Sequence, residues 1–142
     1  QSKVTVIVKM KIISDNQLII EFHRPEFNLD GWMDHYTLSL SGRGMTSSVR
    51  VVNQPYGDGP SDFFKQLAEE WQGWDGEKVW SSLEGEYSMS AKSDLTGHVY
   101  LNFQIYSNLT EPYWSVQVVI ILETGQLDSI ATRLSEFLWQ NC

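Results

Sequence analysis

With 142 residues, 42% of them hydrophobic and 13% aromatic, the chain can bury a core of its own, which excludes the disordered and disulfide-stapled classes. A formal net charge of −8 and a pI near 4.7 argue against nucleic acid or an anionic membrane as the partner. The longest apolar run, residues 118–122, is far too short to span a bilayer.

The first stretch, KVTVIVKMKII, alternates cleanly. Val4, Val6, Val8, Met10 and Ile12 point one way and lysines the other, which predicts a half-buried strand. No signal-peptide pattern is present, because lysines interrupt the apolar positions. A turn at 14–16 leads into a second strand with Leu18, Ile20 and Phe22 aligned, and Arg24-Pro25 is expected to end it. A third strand places Tyr36, Leu38 and Leu40 inward, and the GRG turn at 42–44 leads into a fourth. Pro60 suits the first turn of a helix, capped by Asp58 or Gly59, with Ser61 and Asp62 near its positive end. Its stripe is Phe63, Phe64, Leu67, Ala68 and Trp71, with Gly73 as the stop.

Three more strands are expected after it. Their inward sets are Leu83, Tyr87, Met89 and Ala91; Val99, Leu101, Phe103 and Ile105; and Trp114, Val116, Val118, Ile120 and Leu122. A closing helix presents Leu127, Ile130, Ala131, Leu134 and Leu138. The expected fold is a single α+β domain over 1–142, with about seven mostly antiparallel strands and two amphipathic helices packed on the sheet, in the order ββββαβββα. Val6, Val8, Phe22, Leu38, Leu67, Trp71, Leu101, Phe103, Val118, Ile120, Ile130 and Leu134 are expected to be buried together.

Charge is spread unevenly. Residues 1–53 carry six basic and five acidic side chains, 54–94 three and nine, and 95–142 one and four, so the middle block holds −6. That block contains EEWQGWDGEKVWSSLEGE, residues 69–86, which crowds Trp71, Trp74 and Trp80 among carboxylates. Trp71 reads as core, and Trp74 and Trp80 as staples between the helix end and the sheet. Glu84 and Glu86, two apart on one strand face, would place their Cα atoms about 6.5–7 Å apart, a spacing two-carboxylate glycoside chemistry can use, with Trp80 beside them. An antiparallel sheet also commonly carries glutamates on its wet face for no reason but solvation. A concave pocket with one buried glutamate favours catalysis, and an exposed acidic rim favours a partner.

Other chemistry is thin. His23, His35 and His98 lack ligand spacing, so no metal is expected, and each reads as polar residue on a strand's outer face. No phosphate loop or nucleophile elbow is present, and no cofactor is expected. The lone cysteine, Cys142, has no disulfide partner in the chain, which fits a reducing cytoplasm. The sequon at 108–110 is idle in that compartment.

The segments FFKQLAEEWQGWDGEKVWSSLEGE, GHVYLNFQI and WSVQVVIILETGQL together resemble an uncharacterised family of small bacterial proteins, over about residues 60–130. Size, charge and architecture also resemble the immunity proteins of contact-dependent inhibition and other polymorphic toxin systems, small acidic cytoplasmic domains that block a toxin, often a basic nuclease. That likeness implies a non-catalytic protein that neutralises a basic toxin domain. Its partner-binding residues would be Trp74, Asp75, Glu77, Glu84 and Glu86. The alternative is a small-molecule or carbohydrate-binding protein, or a hydrolase, using the Trp80/Glu84/Glu86 face.

Overall fold

Period-two alternation becomes strand, and each run of strands closes into a helix where a proline or a 3₁₀ turn redirects the chain. The computed structural model describes residues 5–54, 59–107 and 113–142. Among these, the order is β1 Lys9–Ile13, β2 Ile19–Phe27, β3 Met33–Gly42, β4 Met45–Val52, α1 Pro60–Glu69, β5 Glu77–Ser81, β6 Tyr87–Ser93, β7 His98–Tyr106, β8 Ser115–Glu123, a 3₁₀ turn at Thr124–Gln126 and α2 Leu127–Leu138. The strands form two antiparallel four-stranded sheets, β1-β2-β3-β4 and β5-β6-β7-β8. This is an α+β fold made of two meanders, each followed by a helix.

Inward positions of both sheets and the stripes of both helices merge into one core. Nine of the twelve residues expected there are buried: Phe22, Leu38, Leu67, Leu101, Phe103, Val118, Ile120, Ile130 and Leu134. The two sheets meet directly, since the Tyr36 and Tyr87 hydroxyls lie 2.7 Å apart between them. Burial pushes both phenols above their ordinary range, so each stays neutral and the pair serves as an inter-sheet tie. A second tie runs from the β1–β2 turn to β8, where Ile121 N–H donates to Ser14 Oγ (2.9 Å) and Asn16 Nδ2 to the Val119 carbonyl (2.8 Å). The two helices pack on each other.

The structure corrects several expectations. Glu77–Ser81 is an eighth strand, paired to β6 from Glu77↔Lys92 to Ser81↔Ser88. β1 starts only at Lys9, so Val6 and Val8 are exposed. Their alternation has no partner to pack on, because the β1–β2 ladder ends at Lys9↔His23. Ile7 is held instead by Gln140, which accepts its N–H and donates to its carbonyl, both at 2.9 Å. Arg24-Pro25 does not end β2 but bulges it. Arg24 adopts φ +50°, the register shifts between His23 and Glu26, and the strand continues to Phe27. Trp114 precedes β8 and is exposed. Gly59 caps α1, with Asp62 Oδ2 accepting its N–H at 3.0 Å. Asp58, Val4 and the sequon at 108–110 lie outside the described residues.

The β6–β7 turn carries a pH-dependent element. Asp94 accepts N–H bonds from Thr96 (2.8 Å) and His98 (3.1 Å), and the Thr96 bond is the main reason its carboxyl titrates at about 2. A folded pKa below the unfolded value adds stability above the unfolded pKa, and that contribution is lost as pH falls through about 2. An NMR titration of Asp94 should show that low midpoint. Asp94→Asn should flatten the acid limb of the stability profile over that range.

Candidate functional site: the acidic edge of the second sheet

α1 ends before the tryptophans begin. Glu70 leaves helical geometry at φ −105°, ψ 39°, while its N–H still reaches the Gln66 and Leu67 carbonyls. Trp71 therefore falls off the apolar stripe and stands 59% exposed, which corrects its assignment to the core. Gly73 then turns the chain at φ +112°. At that φ any side chain is strained, and a Cβ there would also push on the Leu95 side chain, 2.5 Å away.

Trp74 is buried at 8% exposure, with its indole N–H donating to the Ala91 carbonyl at 3.3 Å. Lys78 sits 5.7 Å above its ring and pairs with Glu70 at 2.5 Å, which ties the helix end to β5. Trp80 packs on Tyr87 at 5.1 Å between ring centres. Both tryptophans thus staple the corner.

The five expected partner-binding residues divide. Asp75, Glu77 and Glu84 are exposed, whereas Trp74 and Glu86 are buried and present nothing to a partner. Glu86 is 2% exposed. Its carboxylate accepts the Ser82 hydroxyl (2.7 Å) and the Val52 N–H (2.8 Å), so it bridges β4 of the first sheet to the turn before β6 in the second. The expected Glu84/Glu86 strand face does not form. Residues 82–86 are a turn with Gly85 at φ +76°, and this aims one carboxylate out and the other in. A buried glutamate is present, as the catalytic reading requires, but the cavity next to it, bounded by Tyr36, Val52, Trp80 and Ser82, measures about 10 Å³. That is room for roughly one water and not for a sugar.

The apolar part of this surface was not legible in the helical stripe. Val79 and Leu83 are 72% and 69% exposed, so Leu83 does not join the inward set expected of its strand. Val79 points outward because β5 half-buries only the alternate side, Lys78 and Trp80. Among the described residues β5 is an edge strand, with a ladder partner on one side alone. Among the described residues, no group of three or more His, Cys, Asp or Glu is able to hold a metal ion, and no helix is long and apolar enough to cross a membrane.

The profile of a family of unknown function, DUF6228, matches residues 11–141. No curated protein matches the chain in sequence. Among solved structures, the plant transcriptional regulator PBF-2 is similar, with a TM-score of 0.50 and 9% identity over 94% of this chain and 82% of that one. At that identity the likeness is one of fold alone.

Proposed function

The chain belongs to the family of unknown function DUF6228, and we propose that it is a binding protein that occupies and neutralises a basic protein partner, a toxin domain in the manner of an immunity protein. The observation that supports this reading is the composition of the β5 edge. Asp75, Glu77 and Glu84 are exposed on or beside this strand, with Val79 and Leu83 exposed between them in sequence and Trp71 exposed just after α1. Exposed tryptophan and aliphatic side chains ringed by charge are the usual make-up of an interface centre and rim. Trp71 takes the anchoring role that Trp74, being buried, cannot fill.

The carboxylates would pair with lysines or arginines that the partner uses on its own substrate, which blocks it without any chemistry at this edge. A cytoplasmic location accords with the single free thiol, Cys142. A net charge of −8 opposes phosphate contacts, so nucleic acid is not proposed as the partner.

Association kinetics with the product of the neighbouring gene test the proposal. Glu77→Lys combined with Glu84→Lys should slow association about 10-fold and flatten its salt dependence, with the fold intact. Unchanged kinetics in that folded double variant would remove this surface from the account.

A further inference from the structure

The outer face of the first sheet holds three side chains in a catalytic order. In the β2–β3 ladder Glu21 opposes Ser39 and His23 opposes Thr37, so His23 lies diagonal to Ser39 on the same face. His23 Nε2 is 2.6 Å from Ser39 Oγ, and Nδ1 is 3.6 Å from Glu21 Oε1. Lys11 Nζ holds the other Glu21 oxygen at 3.7 Å. In the tautomer with the proton on Nδ1, toward the Glu21 carboxylate, Nε2 is the acceptor for the Ser39 hydroxyl. The 3.6 Å separation is longer than a hydrogen bond, as catalytic contacts often are before substrate closes the site.

A groove lies one residue pair away on the same sheet, and neither Ser39 nor His23 is among the residues that line it. It measures about 700 Å³ and is lined by Arg24, Thr37, Ser48, Arg50 and Trp114 among others. Thr37 and Ser48 are the cross-strand neighbours of His23 and Ser39. Arg50 is held by Glu26 in a two-pronged pair at 2.7 and 2.8 Å. Arg24 makes no ion pair or hydrogen bond among the described residues, and it stands at the strained bulge directly after His23. That placement leaves a guanidinium free for an anion next to a paired serine and histidine.

We propose that Ser39, His23 and Glu21 form a nucleophilic triad that hydrolyses a carboxylic ester bearing an anionic group, with Arg24 binding that group. Ser39 Oγ attacks the ester carbonyl while its proton passes to His23 Nε2, and the alcohol departs with that proton. Water then attacks the acyl-serine, gives its proton to Nε2, and releases the acid as Ser39 recovers its own. Glu21 is a positioning residue, since it acts through the ring of His23. This activity is independent of the acidic β5 edge.

The experiment uses the whole protein with 4-nitrophenyl hydrogen succinate, the neutral 4-nitrophenyl acetate, and a fluorophosphonate label read by peptide mass spectrometry. Ser39 should take the label, and Ser39→Ala or His23→Gln should lower nitrophenol release about 100-fold or more. Ser41→Ala, one pair further along the same face, should leave it unchanged. Arg24→Gln should raise KM for the succinate ester and not for the acetate.

The rate should rise as His23 loses its proton, with a midpoint below 6.5, because desolvation lowers its pKa and Arg24 and Lys9 add to that. Glu21 opposes the shift, so Glu21→Gln should move the midpoint lower still. The other charged or titratable groups on this face are Arg50, paired with Glu26, Lys11, paired with Glu21, and His35, which pairs with Asp34. Label spread over several serines, release unaffected by Ser39→Ala, or a rate climbing steadily to pH 9 like a simple hydroxyl would each overturn the assignment.

Discussion

Truncation of Phe103 to alanine is expected to lower the unfolding free energy by about 3–5 kcal/mol. The ring is fully buried on β7 between its ladder partners, Met89 on β6 and Val118 on β8. It stacks on Tyr87 with planes 1° apart and centres 6.4 Å apart, and Tyr87 in turn meets Tyr36 of the other sheet. Removing it opens a cavity where the second sheet joins the first, and strands on both sides hinder collapse into the void. A melting temperature lower by roughly 10–15 °C is the expected readout. Leu83→Ala, at an exposed turn position, should stay within about 0.5 kcal/mol of the parent protein. A Phe103→Ala melting temperature equal to the parent's would mean that β7 faces the other way.

The second large effect is expected at Glu86. Its carboxylate is the acceptor for two donors, Ser82 Oγ and Val52 N–H, in a junction closed to solvent. Glu86→Ala leaves both without that acceptor, at about 1–3 kcal/mol each. A total loss of about 2–5 kcal/mol follows, measured by urea denaturation. Glu86→Gln keeps the shape and one carbonyl oxygen, so it should lose less than alanine does. Equal stability in all three proteins would show that the carboxylate contributes nothing to joining the sheets.

Most of the fold was legible because burial imposes a period. Phe22, Leu38, Leu101, Phe103 and Ile120 lie on strands with one wet face, and Ile130 and Leu134 on an amphipathic helix, so their spacing points to the core. Where the period continued but its neighbour stopped, the inference failed. Val6 and Val8 alternate correctly with Met10, yet no strand lies beside them. Trp71 is three residues beyond Ala68 on the stripe, but the helix has already ended.

The site was harder to read because charge pattern does not reveal direction. Glu84 and Glu86 are two apart, which means one face on a strand and opposite destinations around Gly85. The glycine between them was the available signal. β5 was missed since Glu77 and Lys78 stand together ahead of Val79 and Trp80, with no period-two pattern, and the strand buries little. No spacing rule brings Glu21, His23 and Ser39 together, because their meeting depends on strand register across a turn.

If the acidic β5 edge neutralises a basic protein, as proposed above, growth protection is the measurement that reports it. Cells expressing the neighbouring gene's product would be co-transformed with the parent protein, with the Glu77→Lys/Glu84→Lys variant, or with Trp71→Ala. Cells with the parent protein should survive, and the charge reversal should abolish protection. Trp71→Ala should weaken protection while the protein stays folded, because an exposed indole adds little to the core. Full protection by the folded charge-reversed variant would contradict the proposal.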